Sequence, residues 1–133
     1  MPIESAEAVA ALDRLRHITA TLPEVSERLS HGTPTFFVRA RKTLVQLWDG
    51  HHDDDRLHLW APAPPGVQAE MVAREPERFF VPPYVGHRGW LGIDLEVDVD
   101  WEEIEAIIIE AYRLVAPKTL VRRLDEVESS EPG

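Results

Sequence analysis

The sequence predicts a single α+β domain: an antiparallel sheet of about five strands with helices on one face, a two-layer arrangement. Two observations carry this. Apolar residues recur at spacings of three and four near both ends of the chain, and between those ends lie short β-branched and aromatic runs separated by Gly, Pro and Asp clusters. A length of 133 residues, 44% hydrophobic and 29% charged, suits one soluble globular domain with its own core. We place that domain at 1–127 and read ESSEPG, residues 128–133, as a disordered C-terminal tail.

The elements follow in order. Ser5 is an N-cap for a helix whose apolar face is Val9, Leu12, Leu15, Ile18 and Leu22, ended by Pro23. Val25, Glu27 and Leu29 alternate with polar residues, which permits a short edge strand or a loose turn, and Gly32 and Pro34 break the chain after it. TFFVRA and TLVQLWD read as a hairpin, with Leu44, Gln46 and Trp48 on one face of its second strand and Val45 and Leu47 on the other. RLHLWAP is a further strand, with His58 and Trp60 facing away from Leu57, Leu59 and Ala61, and VQAEMVAREPERF is a short helix. FFVPP pairs only briefly, since proline donates no ladder hydrogen bond, and GWLGIDLEV is the last strand. Asp100, with Glu103 as in a capping box, starts the strongest helix, whose stripe is Trp101, Ile104, Ile107, Ile108, Ala111, Tyr112 and Val115. Pro117 opens one more helix, with Leu120, Val121, Leu124 and Val127 inward.

Composition narrows the function. Cysteine is absent, which excludes disulfides, thiol nucleophiles and Cys-ligated metal centres. The N-terminal stretch has no apolar signal-like run and no segment reaches about 18 consecutive apolar residues, so the expectation is a cytoplasmic protein with no membrane partner. With 14 Lys and Arg against 24 Asp and Glu, the net charge is −10, which repels nucleic acid at long range.

No pattern dictates a reaction. GHHDDDRLH offers ligand atoms in His51, His52, Asp53, Asp54, Asp55 and His58, but neighbouring strand residues point to opposite faces, and the reading is a solvated hairpin loop without a metal. His31 beside Gly32 is read as a turn residue. Glu102, Glu103, Glu105 and Glu110 are a solvated helix face, and the glycines form no phosphate-binding loop. No catalytic residue and no cofactor is assigned. FFVPPYVGHRGWLGIDL reads as a tight turn that exposes His87 and Arg88, with Gly92 marking a bulge or a close contact in the following strand.

SHGTPTFFV, the lysine of RKTLVQLW, REPERFFVPPYVGHRGWLGIDL and VDWEEIEAIIIEAYRLVAPKTLVRRL together resemble the MmcQ/YjbR family, from about Leu22 to Leu124. The resemblance implies a fold similar to the secretion-chaperone-like fold, in the order α-β-β-β-α-β-β-α. It implies DNA binding as a family label and brings no catalytic residues. Its motif positions here are Gly32, Pro34, Phe36, Lys42, Pro83, Tyr84, Gly86, Gly89, Trp90, Trp101, Pro117 and Lys118.

The expectation is a binding module rather than an enzyme, a monomer or homodimer that meets nucleic acid weakly or another protein. Its patch is Lys42, Tyr84, His87, Arg88, Trp90 and Lys118, with Arg39 and Arg41 adding charge. A chaperone-like module requires an exposed apolar sheet face, such as Phe37 or Trp60. An enzyme requires a pocket joining His31 or His87 to a carboxylate.

Overall fold

Residues 5–49, 57–97 and 99–130 are described by the computed structural model, with side chains up to residue 127. The elements run α1 (Ala6–Thr19), β1 (Val25–Ser30), β2 (Thr33–Val38), β3 (Lys42–Asp49), β4 (Leu57–Ala61), α2 (Val67–Arg74), β5 (Phe79–Phe80), β6 (Leu91–Asp94), α3 (Trp101–Val115) and α4 (Lys118–Ser130). The six strands form one antiparallel sheet in the order β1-β2-β3-β4-β6-β5. The sheet has six strands because the Val25–Leu29 segment is a true edge strand. Proline also sits inside β2, where Pro34 pairs with Leu29, so the chain is not broken there. α4 extends past Val127 to Ser130, three residues into the segment read as a tail.

Capping follows the sequence. The Ser5 hydroxyl accepts from Ala8 N at 3.1 Å and donates to Asp49 at the end of β3. Asp100 accepts from Glu102 N and Glu103 N. The Glu103 side chain bonds Arg78 instead of closing a capping box, and Arg78 also holds Glu75 at 2.7 Å. These two carboxylates raise the Arg78 pKa further above its already high ordinary value.

Period-two alternation in the central strands buries both sheet faces. Phe36, Val38, Val45, Leu47, Leu59, Ala61, Leu91 and Ile93 face α1, α3 and α4. Leu44 joins this core rather than the face of Gln46 and Trp48. The register slips between Phe36 and Phe37, so Leu44 is the extra residue of a β-bulge. In α1 the buried face is Ala8, Ala11, Leu12, Leu15 and Ile18, whereas Val9 is 55% exposed. Val127 of α4 is also half exposed, while Leu120 and Leu124 are buried.

The opposite face carries Phe37, Gln46, Trp48, His58, Trp60 and Phe80. Trp48, Trp60 and Trp90 form a second buried cluster with Phe80 and Val85 against it. Trp48 and Trp60 meet at 4.5 Å between centroids, a diagonal pair across β3 and β4. The Arg28 guanidinium lies 3.7 Å over Phe37. This face is closed by the segment from Phe80 to Trp90, not by a helix. Two contacts seat that segment. The Phe80 ring rests on the bare Cα of Gly92, where any Cβ would overlap it, so the predicted close contact in β6 is this one. Gln68 of α2 donates to Gly86 O at 2.8 Å and Trp90 O at 2.6 Å.

Two stability predictions follow from this packing. Gly92→Ala is expected to cost about 1–3 kcal/mol in chemical denaturation through overpacking against Phe80, and less in a Phe80→Leu background. Tyr112 is fully buried and its hydroxyl donates to Pro23 O at 2.8 Å. Burial raises its pKa, with charged neighbours Arg123, Glu24 and Arg39 adding smaller effects. A folded pKa above the unfolded value of about 10 gives stability that is complete below pH 10 and is lost as pH rises through the folded value. Tyr112→Phe is therefore expected to lower stability by about 1 kcal/mol at pH 7 and to flatten the alkaline limb of a stability-versus-pH curve.

Candidate functional site

A cleft of about 580 Å³ opens where β3 begins and β4 ends. Five parts of the chain line it. The β1–β2 turn gives Ser30 and His31, and the start of β3 gives Arg41, Lys42, Thr43 and Gln46. Pro62, Ala63, Leu114 and Val115 form apolar walls, and the 81–90 segment adds Val85, Arg88 and Trp90.

Turn geometry puts the polar groups there. Ser30 pairs with Thr33, which leaves His31 and Gly32 as a two-residue hairpin loop, with φ of 57° and 77°. Positive φ at both positions matches the strand twist and suits Gly, but is uncommon for His. Arg39 and Ala40, in the β2–β3 turn, also hold positive φ, at 53° and 57°. Strained turns of this kind concentrate at functional sites, and these two carry His31, Arg41 and Lys42 to the cleft. The His31 ring meets the Ser30 hydroxyl at 3.2 Å.

The charges of the cleft are all of one sign. Arg16, Arg39, Arg74, Arg78, Arg113 and Arg123 are all ion-paired, and none lines the cleft. Among the described residues, Arg41, Lys42 and Arg88 form no ion pair, and no carboxylate lines the cleft. Arg88 lies 5.5 Å over the Trp90 ring, which holds its charge at the rim without neutralising it. A second cleft, of about 510 Å³, runs beside the N-terminus of α3. It carries Asp100, Glu102 and Glu105 against Arg14 and His17, and so offers no net positive field.

Lys42, Arg88 and Trp90 of the expected patch thus meet in one cleft. Tyr84, His87 and Lys118 do not line it. Tyr84 is 72% exposed with φ of 67°, His87 is exposed on the short 3-10 turn Gly86–Arg88, and Lys118 is exposed at the start of α4. Arg39 is held by Glu24 at 3.2 Å, outside the cleft. Phe37 and Trp60 are 5% and 3% exposed, so the apolar surface required of a chaperone-like sheet face is absent at those two residues. Neither histidine is joined to a carboxylate in this cleft. Of the histidine–aspartate loop, residues 50–56 lie outside the described residues. His58 is buried, stacked at 6.0 Å on Trp60 and edge-on to Phe80 at 5.2 Å. Among the described residues, no helix is long and apolar enough to cross a membrane.

Sequence reasoning passed over Gln46 as a site residue. Its signal was slight: one amide in the apolar run LVQLW.

A sequence profile described as YjbR matches residues 20–114. Among solved structures, the Deinococcus radiodurans protein DR2400, with the family domain DUF419, is similar over 86% of this chain and 87% of its own. The identity is 20% and the TM-score 0.69, a likeness of fold. No curated protein matches the chain.

Proposed function

The chain belongs to the YjbR family, and from that premise and the cleft's chemistry we propose that it is a binding module for phosphate-bearing ligands, with nucleic acid bound weakly through its phosphates. One observation carries the reading: Arg41, Lys42 and Arg88 stand without ion-pair partners, among the described residues, in a cleft that no carboxylate lines. In a chain of net charge −10, unpaired cations in a shared recess favour an anion locally while the rest of the surface repels one. Lys supplies a point charge and Arg a planar fork, both suited to phosphate.

The same charge balance limits the ligand. An extended duplex would bring many phosphates against acidic surface, whereas a short single strand or a small phosphorylated molecule meets the cleft alone. A volume of about 580 Å³ falls within the range of about 300–1,000 Å³ usual for small-ligand sites.

Fluorescence anisotropy of labelled single- and double-stranded oligonucleotides, with a salt titration, tests this. The expected result is weak saturable binding, stronger for the single strand. The slope of log affinity against log salt should be about −2, as two or three neutralised phosphates give. Lys42→Ala and Arg88→Ala should each weaken binding severalfold while remaining folded. Affinity that does not change between low and moderate salt, or variants that bind like the wild type, would refute the reading.

A further inference from the structure

The same cleft has a second chemical feature, on its β3 wall. Gln46 is 8% exposed, yet it lines the cleft. Its backbone is held in the ladder between Thr35 and Trp60. Its carboxamide forms no hydrogen bond to any other described residue, and its nitrogen and oxygen are not fully enclosed, so they meet the water of the cleft. An amide fixed on a strand and turned to the water of a cleft keeps its donors and acceptor available to a ligand. Two independent observations therefore coincide in one recess: cations without counter-charges, and an amide whose donor and acceptor capacity is unspent.

We propose that the cleft takes a nucleoside monophosphate unit, free or at the end of a single strand, with Gln46 reading the base. This rests on the phosphate-binding reading above and deepens it. A glutamine carboxamide presents a donor and an acceptor side by side, the complement of a nucleobase edge that offers an acceptor and a donor. Val85, Leu114, Val115, Pro62 and Ala63 supply apolar lining for the flat faces of a base. The phosphate lies with Arg41, Lys42 and Arg88. A simple inorganic anion would use the cations and leave Gln46 to water. A nucleotide uses both.

Isothermal titration of the full chain with ribose 5-phosphate, with each of the four common nucleoside 5′-monophosphates and with a short single-stranded oligonucleotide tests the proposal. Wild type is expected to bind at least one mononucleotide about tenfold or more tighter than ribose 5-phosphate, the discrimination a bidentate base contact supplies. Gln46→Met keeps the side chain's length and removes its hydrogen bonds. It should reduce that ratio to about threefold or less while leaving ribose 5-phosphate affinity within about twofold. Gln46→Asn, which retains the amide on a shorter stem, guards against a merely structural effect of Met and should recover part of the preference. Arg88→Ala should weaken all ligands alike. The oligonucleotide arm separates the sources: a strand that binds no tighter than its terminal nucleotide assigns the site to the free nucleotide, and a tighter one to the strand. Equal affinity for ribose 5-phosphate and every mononucleotide would overturn base reading while leaving phosphate binding intact. An unchanged ratio in Gln46→Met would overturn the role of Gln46. No binding of ribose 5-phosphate or of any nucleotide would overturn both proposals.

Discussion

The contact between the Phe80 ring and the backbone of Gly92 is the constraint on which the rest of the structure depends. Central strands buried on both faces need two covers. Helices α1, α3 and α4 supply the first. The second is an irregular segment, and irregular segments cover a sheet only when something fixes them to it. A side chain at position 92 would hold Phe80 away. With glycine there, the ring reaches the sheet, Trp90 packs beside Trp48 and Trp60, and Gln68 satisfies the carbonyls of Gly86 and Trp90. Arg88 and Val85 are thereby placed against β3, and the cleft gains its wall. Fold and site share this contact.

Electrostatics then divides the molecule. Of the eleven described arginines, six are paired with acids and so carry structure: Arg16 ties α1 to Glu27 of β1, and Arg78 ties the α2–β5 loop to α3. Exposed pairs such as Arg16–Glu27 contribute little each. Their consequence is distributional, because pairing leaves the uncompensated charge of the described surface mostly acidic, with a basic exception at the cleft. Long-range repulsion slows the approach of anions and disfavours long polyanions, while the cleft holds a short one at close range.

Local chemistry made much of the fold legible. The caps at Ser5 and Asp100 could be read because a cap needs only its own first turn. Alternation alone puts Leu44 on the face of Gln46 and Trp48 and is wrong there, because a bulge is a property of two strands in register and the sequence shows one strand at a time. Of the apolar face expected at the first helix, Leu12, Leu15, Ile18 and Leu22 are buried and Val9 alone is exposed, because Ala8 and Ala11 fill the core at that end without announcing it in the sequence. β1 was ambiguous because Glu27 interrupts the apolar set of Val25 and Leu29, and in the sheet Ser26, Glu27, Arg28 and Leu29 are all exposed. At the site, Lys42, Arg88 and Trp90 were visible as cations and an aromatic beside turns. Tyr84, His87 and Lys118 looked equivalent, but where a turn residue points depends on backbone angles that composition does not reveal. Gln46 became meaningful only once its neighbours were known.

The most direct test of the central claim is an amide-resolved NMR titration of the ¹⁵N-labelled protein with a nucleoside monophosphate. The account predicts saturable shifts concentrated at residues 30–31, 41–46 and 85–90, on three stretches distant in sequence and joined only by the cleft. Shifts gathered instead around Asp100 to Glu105, or scattered without saturation, would contradict it.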